Sequence, residues 1–196
     1  MTGADPETIT AYETRSRDYA ARTGRRAEPG LAEFVAGLPR GGHVLDLGCG
    51  PGDSAHRFLK AGFTVDAIDA SPAMVSRARE LGVPARCATF DEIEGQDLYD
   101  GIWASYSLLH APRADMPGTL ARLHHALKPG GLFHIGMKTG TGEARDSLGR
   151  LYVYYSEPEL IGLLQAAGFS PTIRETRTDT GLDGTEYQGI WMHANG

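Results

Sequence analysis

The stretch HVLDLGCGPGDSAHRFLKAG, residues 43–62, leaves few architectures open. A strand pattern runs into glycine at every second position, Gly48, Gly50 and Gly52, and passes at once into a helical pattern that stops on Gly62. Alternate glycines make a bend whose main-chain amides stay uncovered, so a ligand can approach the backbone closely. The rhythm then repeats. FTVDAID (63–69) reads as a strand, and SPAMVSRARELG (71–82) as a helix with Ser71 as its cap and Pro72 in its first turn. ARCATF (85–90) and DGIWASYSL (100–108) are two further strands. RADMPGTLARLHHAL (113–127) is helical, with Leu120, Leu123, Ala126 and Leu127 on one stripe, and GGLFHIGMK (130–138) is the fifth strand. Strands alternating with helices call for a parallel sheet covered on both faces.

The flanks differ from this core. Asp5, Pro6 and Glu7 open a helix predicted over 5–22, and a second short helix follows Pro29. After the fifth strand a polar loop (139–150) leads into LYVYY and then a helix over 156–167, where Ser156 and Glu159 form a capping box. PTIRETRT and TEYQGIWMHA, joined by the turn-rich DTGLDGT, are expected to close the sheet as an antiparallel hairpin. The fold class is α/β, one Rossmann-like domain. Its parts are an N-terminal helical cap (1–40), a ligand-binding core (41–138), and a loop, helix and closing strands (139–196).

Charge and cysteine use narrow the function. The net charge of −6 argues against nucleic acid as a partner, since its binders usually carry a basic surplus. Cys49 and Cys87 form no CxxC pair, which argues against a disulfide framework, a bound metal or an iron–sulfur cluster. The first twenty residues lack an apolar core and no stretch reaches 18 apolar residues, so a cytoplasmic protein without membrane contact or obligate protein partner is expected.

The glycine loop reads G-C-G-P-G, not the G-x-G-x-x-G of dinucleotide folds. Asp46 precedes its first glycine by two, and Asp69 ends the next strand, where a carboxylate can accept both hydroxyls of a ribose. Taken in order, VLDLGCGPG, VDAIDAS, YDGIWASYSLLHAP and LKPGGLFHIG resemble the motif series of class I S-adenosylmethionine-dependent methyltransferases, over residues 40 to 138. Within that class the chain is similar to short stand-alone bacterial enzymes of the tellurite-resistance or small-molecule type.

The resemblance implies a mostly parallel seven-stranded sheet, S-adenosyl-L-methionine as cofactor and S-adenosyl-L-homocysteine as product. It implies that the backbone of Gly48, Cys49, Gly50 and Gly52 packs on the methionine portion, that Asp46 orients its amino group, and that Asp69 takes the ribose hydroxyls. Ala70, Met74, Phe90 and Asp91 would surround the adenine, and Ser105 and Tyr106 would sit beside the sulfonium. Tyr12 and Tyr19, seven apart on the first helix, would cap the pocket.

Methyl transfer asks mainly for positioning, with a base only where the nucleophile must lose a proton. His110, just past the fourth strand, is the candidate base; His134 and His193 fall within strands as structural residues, and His124 and His125 read as solvated. Lys138, Arg150, Tyr152, Tyr154 and Tyr155 are the candidate substrate wall, with an anionic or flat small molecule in view. The expected reaction is methyl transfer to O, N or S of a small molecule. The alternatives are a macromolecular acceptor, or cofactor binding without turnover.

Overall fold

A computed structural model describes residues 4–23 and 28–196; residues 1–3 and 24–27 of the expected cap lie outside the described residues. Seven strands form one sheet in the order β3-β2-β1-β4-β5-β9-β8. These are β1 (His43–Leu47), β2 (Thr64–Asp69), β3 (Ala85–Cys87), β4 (Tyr99–Ser105), β5 (Leu127–Lys138), β8 (Ser170–Thr180) and β9 (Glu186–Asn195). The first five pair in parallel, while β9 runs antiparallel between β5 and β8. The seven strands and the closing hairpin agree with the expected fold.

Strand alternation divides the interior into two layers. Val44 and Trp103 face α3 (Leu31–Gly37), α4 (Asp53–Lys60) and α5 (Pro72–Glu80), in a cluster with Phe34, Phe58 and Ala78. Their neighbours Leu45 and Ile102 face α6 (Met116–Ala126) and α7 (Glu157–Ala166), in a second cluster with Leu120, Leu123, Phe133 and Leu164. A parallel sheet needs this cover on both sides, because its strands are apolar on both faces. His134 lies opposite Trp103 in the β4–β5 register and stacks on its ring with centroids 3.5 Å apart. It is fully enclosed, as expected of a structural histidine, and His193 is likewise buried.

Three local expectations change. The single helix predicted over 5–22 is two, α1 (Pro6–Thr14) and α2 (Ser16–Thr23), divided at Arg15, whose φ of −115° and ψ of 15° are not helical. Asp5 does cap α1, its carboxylate accepting the Thr8 amide at 2.8 Å. The polar loop contains a short strand, β6 (Glu143–Arg145), paired antiparallel with β7 (Leu151–Val153) in a two-stranded sheet of its own. His124 is half-buried rather than solvated, its ring meeting Phe169 edge-on at 5.0 Å, whereas His125 is exposed. The capping box of α7 is present, with Ser156 N–H donating to Glu159 Oε2 at 2.8 Å.

Candidate active site

The cavity lies at the carboxyl ends of β1, β2 and β4, where open α/β sheets bind ligands. Its floor is the glycine loop. Gly48, Gly50 and Gly52 all take positive φ (72°, 53° and 91°), backbone that only glycine adopts freely. They do so for different reasons. A Cβ on Gly48 would meet Ser107 Cβ at 2.4 Å, and one on Gly52 would meet the Ala78 backbone at 2.9 Å. Among the described residues, a Cβ on Gly50 would meet only Tyr19, at 3.6 Å. The first and third glycines let elements pack; the middle one faces the cavity.

Two arms of the cavity meet where Gly48, Gly50, Ser105, Tyr106, Tyr12 and Tyr19 line both. One arm passes Asp69, Ala70, Ser71, Met74 and Phe90. Asp69 is anchored there by two backbone amides, Gly50 N–H to Oδ2 and Ser71 N–H to Oδ1, each at 2.8 Å. A carboxylate has about four lone-pair sites, so two stay open for further donors. Burial pushes Asp69 above the usual carboxylate range, against the pull of those two amides. Asp91 lines the adjoining cleft with Phe90, and its Oδ1 accepts from the Thr89 hydroxyl at 2.5 Å.

The glycine loop also borders an acidic corner. Asp46 accepts the Ala55 amide at 3.0 Å, and Glu28 accepts the Ser54 hydroxyl at the first turn of α4. Burial, reinforced by Glu28, Asp69 and Asp53, drives the Asp46 pKa well up, and burial raises Glu28 too. Clustered buried carboxyls of this kind relax when a cation enters among them. Cys49 lines the same corner, its thiol pushed up chiefly by burial. Glu28 went unnoticed in the sequence, because it precedes a plain Pro-Gly turn and belongs to no motif.

The second arm is aromatic and cationic, with Lys138, Arg150, Tyr152 and Tyr187 in its wall. Arg150 packs over the rings of Tyr12 and Tyr152, at 5.4 and 5.3 Å from their centroids. Its Nη2 and Nε donate to Asp146 Oδ2 at 2.6 and 2.9 Å, so its charge is matched. Tyr12 and Tyr19 meet edge-on at 5.5 Å, both facing the cavity despite the break between their helices. Of the other two tyrosines, Tyr154 stacks behind Tyr152, and Tyr155 turns into the core beneath the Arg113 guanidinium, outside the cavity lining. The reason is local: β7 stops at Val153, and Tyr155 instead bridges to Thr139 beside β5.

His110 has both ring nitrogens engaged. Nδ1 lies 2.6 Å from the Leu151 carbonyl, which can only accept, so the proton sits on Nδ1. Nε2 then accepts from the Tyr12 hydroxyl at 2.8 Å. Burial lowers the imidazole pKa to about 4. At neutral pH this histidine is uncharged and holds Tyr12 in place, a different arrangement from the free lone pair expected of a base. Tyr106, at the junction of the arms, holds a positive φ of 54° without being glycine. Such backbone strain gathers at ligand sites.

Among the described residues no group of three or more His, Cys, Asp or Glu could hold a metal ion, and no helix is long and apolar enough to cross a membrane.

Known proteins resemble this chain in sequence and fold. A family profile described as a methyltransferase domain matches residues 44–131. Trans-aconitate 2-methyltransferase of Delftia acidovorans is 34% identical over 135 residues, 64% of this chain and 49% of that protein. Dimethylglycine N-methyltransferase of Parasynechococcus marenigrum is 31% identical over 141 residues, 67% of this chain and 49% of that one. The chain thus spans about half the length of the curated relatives it matches. Among solved structures, Burkholderia thailandensis 1,6-didemethyltoxoflavin-N1-methyltransferase, with bound 1,6-didemethyltoxoflavin and S-adenosylhomocysteine, superposes with a TM-score of 0.75 at 28% identity. That match covers 95% of this chain and 84% of the other.

Proposed function

Because the chain belongs to the class I S-adenosylmethionine-dependent methyltransferases, we propose that it transfers a methyl group to an O, N or S nucleophile of a small molecule. The observation that carries this reading is the single cavity whose two arms meet over the glycine loop. The residues fit the cofactor. Asp69 keeps open lone pairs for ribose hydroxyls, Ala70, Met74 and Phe90 give an apolar slot for adenine, and the acidic corner of Asp46 and Glu28 suits an ammonium group. When bound, S-adenosylmethionine supplies an electrophilic methyl group on a sulfonium.

The chain's own contribution is position. Ser105, Tyr106, Tyr12 and Tyr19 enclose the junction of the arms, and Tyr12 is fixed from two sides by His110 and Arg150. Aligning reactants in this way supplies much of what an in-line displacement needs. His110 serves as a positioning residue, and an acceptor that enters already ionised needs no base. The relatives support a small acceptor: their names specify trans-aconitate, dimethylglycine and 1,6-didemethyltoxoflavin.

The test is incubation with methyl-tritiated S-adenosylmethionine and pooled small phenols, amines, thiols and heterocycles. Label is expected in the extracted small-molecule fraction. Label found only in added RNA, DNA or protein would replace this reading with the macromolecular one. A variant probes the cofactor arm: Asp69→Ala should weaken S-adenosylmethionine binding by about 1–3 kcal/mol, the cost of losing a charge-assisted acceptor. Unchanged affinity in calorimetry would remove Asp69 from the site.

A further inference from the structure

Resting on the methyl-transfer reading, we infer that Lys138 is the recognition point for a carboxylate on the acceptor, so that the substrate is a small organic acid. Lys138 is the last residue of β5, paired with Gly189 of β9, and only 7% of it is exposed. Its Nζ sits between two tyrosine faces, 3.9 Å from the Tyr152 centroid and 4.4 Å from that of Tyr187, in the wall of the second arm. Among the described residues it has no carboxylate within ion-pair distance and no hydrogen-bond acceptor.

The neighbouring carboxylates do not pair with it. Asp146 holds Arg150, and Asp183 accepts from the Thr185 amide and hydroxyl and keeps its own charge, acting on Lys138 only from beyond ion-pair distance. Arg145, close by in sequence, is held by Asp5 and Glu7 at the far side of β6. The Lys138 ammonium is thus buried against aromatic rings with no ion-pair contact among the described residues, while Arg150, the other cation in the lining, has one. Burial costs an ammonium several kcal/mol unless it is paired. Cation–π contact returns only part of that. An incoming anion would complete the site.

The size of the charge selects the anion. With Arg150 paired to Asp146, Lys138 is the cation of this wall that has no ion-pair partner among the described residues. A carboxylate balances it, whereas a phosphate dianion would bring uncompensated charge into an enclosed, tyrosine-lined space. Asp46 and Glu28, beside the glycine loop in the same cavity, disfavour that anion and suit a cation. The two sets of residues therefore sort ligands by charge, and an acid is directed to Lys138.

The experiment titrates the full-length protein, both unloaded and saturated with S-adenosylhomocysteine, with matched acid and amide pairs in a calorimeter at pH 7. The probes are benzoate and benzamide, 4-hydroxybenzoate and 4-hydroxybenzamide, and succinate and succinamide. At least one acid should bind about tenfold or more tightly than its amide. Lys138→Met should erase that preference and leave S-adenosylhomocysteine affinity unchanged, and Lys138→Arg should keep it. The comparison on the wild-type chain needs no variant to fold. If no acid outcompetes its amide, or if Lys138→Met keeps the preference, the inference is overturned. Failure of S-adenosylhomocysteine to bind strikes the methyl-transfer reading itself, while normal binding with no acid preference strikes the carboxylate site alone.

Discussion

Gly50→Val is expected to abolish cofactor binding in a chain that still folds. At φ 53° a valine is strained by about 1–2 kcal/mol, a cost the fold can bear. Among the described residues no core atom stands in its way, because the added Cβ would meet only Tyr19 at an ordinary 3.6 Å. The two methyl groups beyond that Cβ would fill the junction through which both arms connect. Calorimetry with S-adenosylhomocysteine should register a loss of at least ~100-fold, about 2.7 kcal/mol. Gly48→Ala, by contrast, drives its Cβ to 2.4 Å from that of Ser107 and should lower stability before it affects binding. A Gly50→Val protein that melts cooperatively and binds within about threefold of wild type would show that the ligand does not lie on this loop.

The second large effect is acid lability centred on His110. Its pKa is about 4 in the folded chain against an ordinary 6.5, so between those values the unfolded chain binds a proton that the folded chain refuses. Stability from this source is whole above pH 6.5 and drains away as the pH falls toward 4. At 1.36 kcal/mol per pKa unit the loss is roughly 3 kcal/mol. Asp46 and Asp69 oppose it: their pKa values are raised, so the folded state holds protons that the unfolded chain releases. His134, whose pKa burial also lowers, acts in the same direction as His110. The contribution of His110 is isolated by comparing wild type with His110→Gln in urea unfolding at several values between pH 7 and 4.5. Wild type should lose more stability across that window, and equal losses would mean that the ring protonates freely in the folded protein.

Much of this architecture is legible because its signals are strong and local. Glycine spacing marks the loop, strand ends place Asp46 and Asp69, and Ser71, Asp5 and Ser156 announce their helices through side-chain caps. What escapes is set by tertiary contact. No glycine or proline marks the break at Arg15, so two helices read as one. β6 is three exposed residues with no alternation, and it exists because β7 pairs with it. Tyr152, Tyr154 and Tyr155 look equivalent as a run, yet only Tyr152 reaches the cavity. His110 carries the residue type of a base, but its lone pair is taken by a tyrosine 98 positions earlier in the chain. The isolation of Lys138 is invisible in sequence, since it depends on Arg150 having captured Asp146.

The stitching of α1 to the β6–β7 segment sets an order of events for a chain being made. Arg145 Nη1 donates to Asp5 at 2.8 Å across 140 positions, the Leu151 amide to Thr8 Oγ1 across 143, and Arg150 to Tyr12 across 138. At synthesis rates of about 5–20 residues per second, α1 leaves the ribosome on the order of ten seconds before any of those partners exists. α1 has only nine residues, too short to hold its helix alone in water. A segment translated early is thus among the last to find its place. Tyr12, Tyr19 and the Lys138 arm come together only once nearly the whole chain has emerged, so a nascent or truncated chain could build the central strands while still lacking the enclosed cavity.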